Sequence, residues 1–126
     1  MPHPASPYLA LPGVDFDLSA RATKVDVFES KSEAKAYALE CAETISELAQ
    51  KLYANAGERS APKVLIVLQG MDTSGKDSTT KAMFRRTPPL NVRIAPFKAP
   101  TKPELARDYL WRVHQVVPRK GEIVIF

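Results

Sequence analysis

The chain has little of what would place it in several common classes. Among its 126 residues there is one cysteine, Cys41, which excludes an intrachain disulfide framework and any multi-cysteine metal site. It has no long apolar run: the longest, residues 64–68, falls far below the ~20 residues that span a bilayer. The opening Met1-Pro2-His3-Pro4 has neither a basic nor an apolar stretch, so no secretory signal is expected. These absences point to a cytoplasmic protein without a membrane partner. Histidine is scarce too, and His3 and His114 have no spacing that would make them metal ligands. What remains, 44% hydrophobic and 25% charged residues, is the composition of a soluble globular protein of at most one domain.

Charge is unevenly distributed. Residues 1–62 carry six Lys/Arg against nine Asp/Glu, whereas residues 63–126 carry twelve against five. An acidic front therefore precedes a basic half, and such a half suits an anionic ligand. Nothing in the pattern calls for nucleic acid.

Three stretches differ in kind. Residues 1–20 hold four of the eleven prolines and read as an extended arm. Residues 21–62 contain a helix over 31–55. Ser30 with Glu33 gives a capping-box start, and Ala34, Ala38, Cys41, Ile45, Leu48 and Leu52 form one apolar stripe. Cys41 on that stripe reads as a buried, inert thiol. Residues 63–126 change period. The β-branched run at 64–68 has the pattern of a strand covered on both faces. A loop follows, then a helix from Lys76 to about Arg86, stopped by Pro88-Pro89. A brief strand is expected at 92–95, a helix from Thr101 to about Val117, and a last strand at 122–126. Strand, helix, strand, helix, strand predicts an α/β domain with a parallel sheet. Three strands make a poor sheet of this kind, and the sequence stops on the apolar Ile123-Val124-Ile125-Phe126. The domain is expected to be truncated after its third strand, and that apolar end to behave as an exposed edge.

One motif carries chemistry. Gly70-Met71-Asp72-Thr73-Ser74-Gly75-Lys76 fits G-x-x-x-x-G-K, the first seven places of a phosphate-binding P-loop. Two glycines let the backbone curl so that successive N–H groups face an anion, and the helix that follows adds its positive end. The lysine reaches the phosphates as a point charge. The motif follows a strand pattern and opens a helix, which is the setting the chemistry needs. One place departs from the rule: after the lysine, where Ser or Thr normally holds Mg²⁺, stands Asp77, with Ser78 one later. Hard cations prefer oxygen ligands, so a carboxylate there can still serve Mg²⁺ directly or through water. Asp72 inside the loop adds an anion beside a phosphate site. Metal coordination or acceptance of a proton would offset that repulsion, and a simple helix cap is the other reading.

At this point the residues become familiar as a set. The run from Leu68-Gln69-Gly70 to Lys76-Asp77 is followed by Phe97-Lys98-Ala99-Pro100, and then by Asp108-Tyr109-Leu110-Trp111-Arg112. Together, over about residues 21–126, they resemble the polyphosphate kinase 2 family. The resemblance implies a P-loop kinase-like, three-layer α/β/α fold, with residues 63–126 as an incomplete domain of that kind. It implies phosphoryl transfer between inorganic polyphosphate and nucleoside mono- or diphosphates, with Mg²⁺, in a homo-oligomer. Asp72 and Lys76 would be catalytic. Gly70, Thr73, Ser74, Gly75, Lys76, Asp77, Ser78, Lys81, Lys98 and Arg112 would bind phosphate, and Asp72 and Asp77 would hold the metal. Arg112 can instead pair with Asp108 one helical turn earlier. The family also has a second phosphate motif beyond the strand at 122–126, so the 126 residues alone are expected to be weakly active or inactive. Two alternatives stay open: a P-loop kinase of another group acting on a small acceptor, and a non-catalytic fragment that binds polyphosphate. Trp111 falls outside the apolar arc of a continuous 101–117 helix and is expected to pack on a neighbouring element.

Overall fold

A computed structural model describes residues 27–126 continuously and, before them, positions 12, 13, 15, 17, 19, 20 and 22. The predicted arm at 1–20 lies largely outside the described residues.

Helix α1, Lys31–Ala54, starts where the capping signal puts it: Ser30 Oγ accepts from the Glu33 N–H at 3.1 Å. The return bond of the box is shifted by one residue, since the Glu33 carboxylate accepts from Glu29 N at 3.0 Å. The buried face of α1 is not the predicted stripe. Ala42, Ser46 and Ala49 are the residues taken from water, while Leu48 is 58% exposed and Cys41 only half-buried. Small side chains win because helix α2 (Lys76–Met83) approaches closely: Ser46 Oγ donates to Arg86 O at 2.9 Å, just past that helix.

Three parallel strands follow, β1 (Val64–Ile66), β2 (Val92–Ile94) and β3 (Ile123–Ile125), in the order β1-β3-β2. Val64 and Val92 both stand opposite Ile123, and Ile66 and Ile94 both stand opposite Ile125. The parallel α/β expectation is met, but the roles of two strands are exchanged. The strand covered on both faces is β3, whose three residues are all buried, with Val124 fully so. β1 is an edge of the described sheet, which leaves Leu65 43% exposed. The apolar end of the sequence is thus the middle of the sheet rather than an open edge.

Two helices are shorter than their patterns suggest. α2 spans Lys76–Met83 and passes into a turn before Pro88. The expected 101–117 helix is two single turns, α3 (Lys102–Leu105) and α4 (Trp111–His114). The break has a local cause. Asp108 Oδ1 accepts from the Leu110 N–H at 2.9 Å, offering the backbone a turn in place of a helical bond. Trp111 accordingly answers to no continuous helical wheel; it is 37% exposed, and the Arg107 guanidinium lies 4.2 Å from its ring centre.

Candidate functional site

The carboxyl ends of all three strands open toward one side, where ligands of parallel α/β sheets bind. A cleft of about 520 Å³ lies there, lined among others by Gly70, Asp72, Lys76 and Asp77 on one lip and by Pro96, Phe97 and Phe126 on the other.

The first lip is the 70–76 loop. β1 continues past Ile66, with the Leu68 N–H bonded to Phe126 O at 2.9 Å, and then the chain turns. Ser74 N donates to Met71 O at 3.2 Å, which closes the turn. Two residues take positive φ, Thr73 at 63° and Gly75 at 89°. At Gly75 this costs little, since glycine has no Cβ. At Thr73, a β-branched residue, it is strained by about 1–2 kcal/mol. The second glycine requirement is spatial: a Cβ on Gly70 would lie 2.5 Å from Ser74 Oγ. Gly75 is also the N-cap of α2 and has no side chain to cap it. The first N–H groups of α2 are therefore left for another acceptor.

Lys76 bends back over this loop. Its Nζ donates to Gly70 O at 2.6 Å, Met71 O at 2.8 Å and Ser74 Oγ at 3.3 Å. All three ammonium donors thus face oxygens of the loop. Asp72 and Asp77 share the cleft with Lys76, but no group of three or more metal-capable side chains occurs among the described residues. Two carboxylates alone leave most of an octahedral shell to other oxygen donors.

The structure does not bring every predicted residue to the cleft. Ser78 and Lys81 line a separate depression on α2 with Ala82 and Arg85. Thr73 and Ser74 form the loop itself, and Lys98 is exposed on the segment after Phe97. Arg112 is turned away from the loop: its Nη2 donates to Lys98 O at 2.9 Å, and its guanidinium lies 4.9 Å from the Phe97 ring centre. Its acidic neighbour is Glu104, with Nε 3.4 Å from Oε1, and not Asp108. That distance suits an ion pair but not an aligned hydrogen bond, and Nε has no hydrogen-bond partner. Sequence reasoning missed Thr80 and Phe126 as cleft residues. Thr80 was findable, being one helical turn past Lys76. Phe126 becomes visible only once β3 is seen beside β1.

A parallel α/β sheet with a glycine-and-lysine loop at its carboxyl edge defines a class of anion-handling folds. The chain belongs to the polyphosphate kinase 2 family, whose sequence profile matches residues 29–126. It is 51% identical over 92 residues to an AMP/ADP-polyphosphate phosphotransferase of Meiothermus ruber, covering 73% of this chain and 34% of that protein. It is 36% identical over 115 residues to an ADP-polyphosphate phosphotransferase of Rhodopseudomonas palustris, covering 90% of this chain and 38% of that one. The fold is similar to the crystal structure of polyphosphate kinase 2 from Arthrobacter aurescens TC1, with a TM-score of 0.83 at 30% identity over 90% of this chain and 42% of that one. The chain thus spans about a third of the length of these curated relatives. Among the described residues, no helix is long and apolar enough to cross a membrane.

Proposed function

We propose that this chain supplies the phosphate-gripping part of a polyphosphate:nucleotide phosphotransferase, which moves phosphoryl groups between inorganic polyphosphate and nucleoside mono- or diphosphates. The observation that carries this reading is one cleft holding Lys76, Asp72, Asp77 and the uncapped start of α2. The 70–76 loop acts as a P-loop. A phosphate oxygen entering it meets free backbone N–H groups, and the Lys76 ammonium exchanges neutral carbonyl partners for an anion. The ammonium is ionised in both states, and the anion adds a full opposite charge, whose attraction at 4 Å is about 1 kcal/mol in water and more in a partly desolvated cleft, which favours the exchange. Lys98, exposed beside the cleft-lining Phe97, is a second phosphate ligand at the outer rim of the opposite lip, and Lys81 belongs to an outer basic surface. Asp72 serves the metal or the reacting phosphate, and Asp77 is its neighbour in that task.

Mg²⁺ fits this donor set in the way it usually binds, through one or two carboxylates completed by substrate phosphates and water. When bound there, it would neutralise charge on the transferring phosphate. A cytoplasmic setting and self-association belong to the same reading, the latter supported by exposed apolar side chains such as Leu48, Leu65 and Val67.

Phosphoryl transfer depends on positioning around the whole reacting group. The 126-residue chain, a third of its relatives' length, is expected to give at most trace transfer to AMP or ADP by itself. Binding should survive. Calorimetric titration with a short polyphosphate should show saturable binding that Mg²⁺ strengthens, and Asp72→Asn should remove most of the Mg²⁺ gain. Absence of saturable binding would overturn the reading.

A further inference from the structure

The second lip, residues 95–101, has neither helix nor strand to hold it. Its ends are tied by backbone bonds, Ala95 N to Ile125 O at 2.8 Å and Leu105 N to Thr101 O at 2.9 Å, and between them its order comes from side chains. The Phe97 ring meets Phe126 edge-on, with centres 4.8 Å apart and planes at 72°. Arg112 stacks near the same ring and bonds Lys98 O. Arg112 is itself held by Glu104, and both side chains are about one-fifth exposed, at 19% and 21%. The other carboxylate oxygen of Glu104, Oε2, accepts from Thr101 N at 2.6 Å. Glu104 therefore grips both ends of the 98–101 segment, one directly and one through Arg112. Pro100 lies inside the ring so closed and removes a further backbone freedom. The Thr101 bonds, with Arg112 adding less, hold the Glu104 carboxyl below its ordinary value, so it is charged in this setting.

We propose that Glu104 is a positioning residue for the cleft: acting through Arg112, it fixes the 97–101 segment and so places Lys98 for phosphate. This rests on the polyphosphate reading above. It also gives Arg112 a different task from direct phosphate contact. Its guanidinium is committed to a ring, a carbonyl and a carboxylate. Only a planar guanidinium stacks and donates in several directions at once, so lysine cannot replace it here.

A double-mutant cycle on the full chain tests this, reading the dissociation constant of a short polyphosphate. Lys98→Ala and Glu104→Gln should each weaken binding about three- to tenfold, the net scale of one ordinary hydrogen bond, as suits an exposed contact. The double variant should be no weaker than Lys98→Ala alone, because coupled residues are not additive. Against Lys76→Ala on the other lip, the Glu104→Gln loss should multiply. A purely structural role would multiply with both lysines. Arg112→Lys should behave like Glu104→Gln, and it carries the same comparison if thermal melting shows that Glu104→Gln does not fold. Independent multiplication with Lys98→Ala, or no loss from Glu104→Gln, overturns the proposal. So does a silent Lys98→Ala beside a damaging Lys76→Ala, which leaves the cleft reading standing. A silent Lys76→Ala instead defeats the cleft reading itself.

Discussion

The two lips of the cleft are built by different means. The 70–76 lip is held by bonds that begin and end within it: Ser74 N to Met71 O, and Lys76 Nζ to three oxygens of the same loop. The 95–101 lip is held mainly from elsewhere, by Arg112, Phe126 and the Ile125 carbonyl, with the local Thr101–Glu104 capping box of α3 at its end. The first takes shape with β1 and α2. The second waits for α3, α4 and β3 to come together. A cleft made this way can lose one side while keeping the other, because local and distant contacts fail under different perturbations.

The largest expected effect breaks the local lip. Gly75→Val places a β-branched residue at φ 89°, where bulky side chains are genuine outliers. Polyphosphate affinity should fall more than about tenfold, with about 1–3 kcal/mol lost in chemical denaturation. An unchanged affinity would show that this turn is not what binds. Ser46→Ala comes next. It leaves Arg86 O without its partner behind α2 and should cost about 1–2 kcal/mol by urea unfolding. Amide exchange should rise in α2 and the 70–76 loop, and much less in 97–101.

Thr73→Gly acts in the opposite direction at the same lip. Relief of the positive φ offsets the greater freedom of glycine in the unfolded chain, so stability should hold or rise by up to about 1 kcal/mol. A clear loss would mean that the Thr73 side chain has a contact of its own. The smallest effect lies away from both lips, at the start of β3, and shows in acid. Glu122 accepts from Arg119 N at 2.8 Å and pairs with Arg93 at 3.3 Å, and Arg93 Nη2 also donates to Val116 O beyond α4. These partners, the Arg119 amide foremost, hold the Glu122 carboxyl below its ordinary 4.5. A depressed carboxyl stabilises the fold above that ordinary value, and the contribution fades as pH falls through the lowered one. Glu122→Gln should therefore flatten the fall in stability below about pH 4.5. A mutant curve parallel to the wild type across that range would count against the pairing.

The same division explains what could be read from the sequence. The loop was legible because its chemistry lies within seven consecutive residues, and the three strands because their apolar runs are short and bounded. The helix at 101–117 was misread because periodicity does not register a side chain such as Asp108 taking the Leu110 N–H for a turn. The α1 stripe was misplaced by one position because hydropathy ranks Leu48 above Ser46, whereas the close approach of α2 selects small residues. β1 has the apolar composition of a covered strand, as β3 has, and only the strand order tells edge from centre among the described residues. Arg112 was offered Asp108 by helical spacing, but its guanidinium lies beside Glu104 and bonds the Lys98 carbonyl fourteen residues back.

In the proposed function the 70–76 loop itself grips phosphate, beyond the general attraction of a basic half-chain. Titration of short polyphosphate against wild type, Lys76→Ala and Lys35→Ala at low and high salt tests it most directly. Lys35 lies exposed on α1 and carries the same charge away from the cleft. Long-range attraction is screened beyond about 8–10 Å at physiological salt, whereas a direct contact persists. Lys76→Ala should lose about 10- to 100-fold in affinity and Lys35→Ala little, with the gap remaining at high salt. Equal losses for the two variants, vanishing together as salt rises, would contradict it.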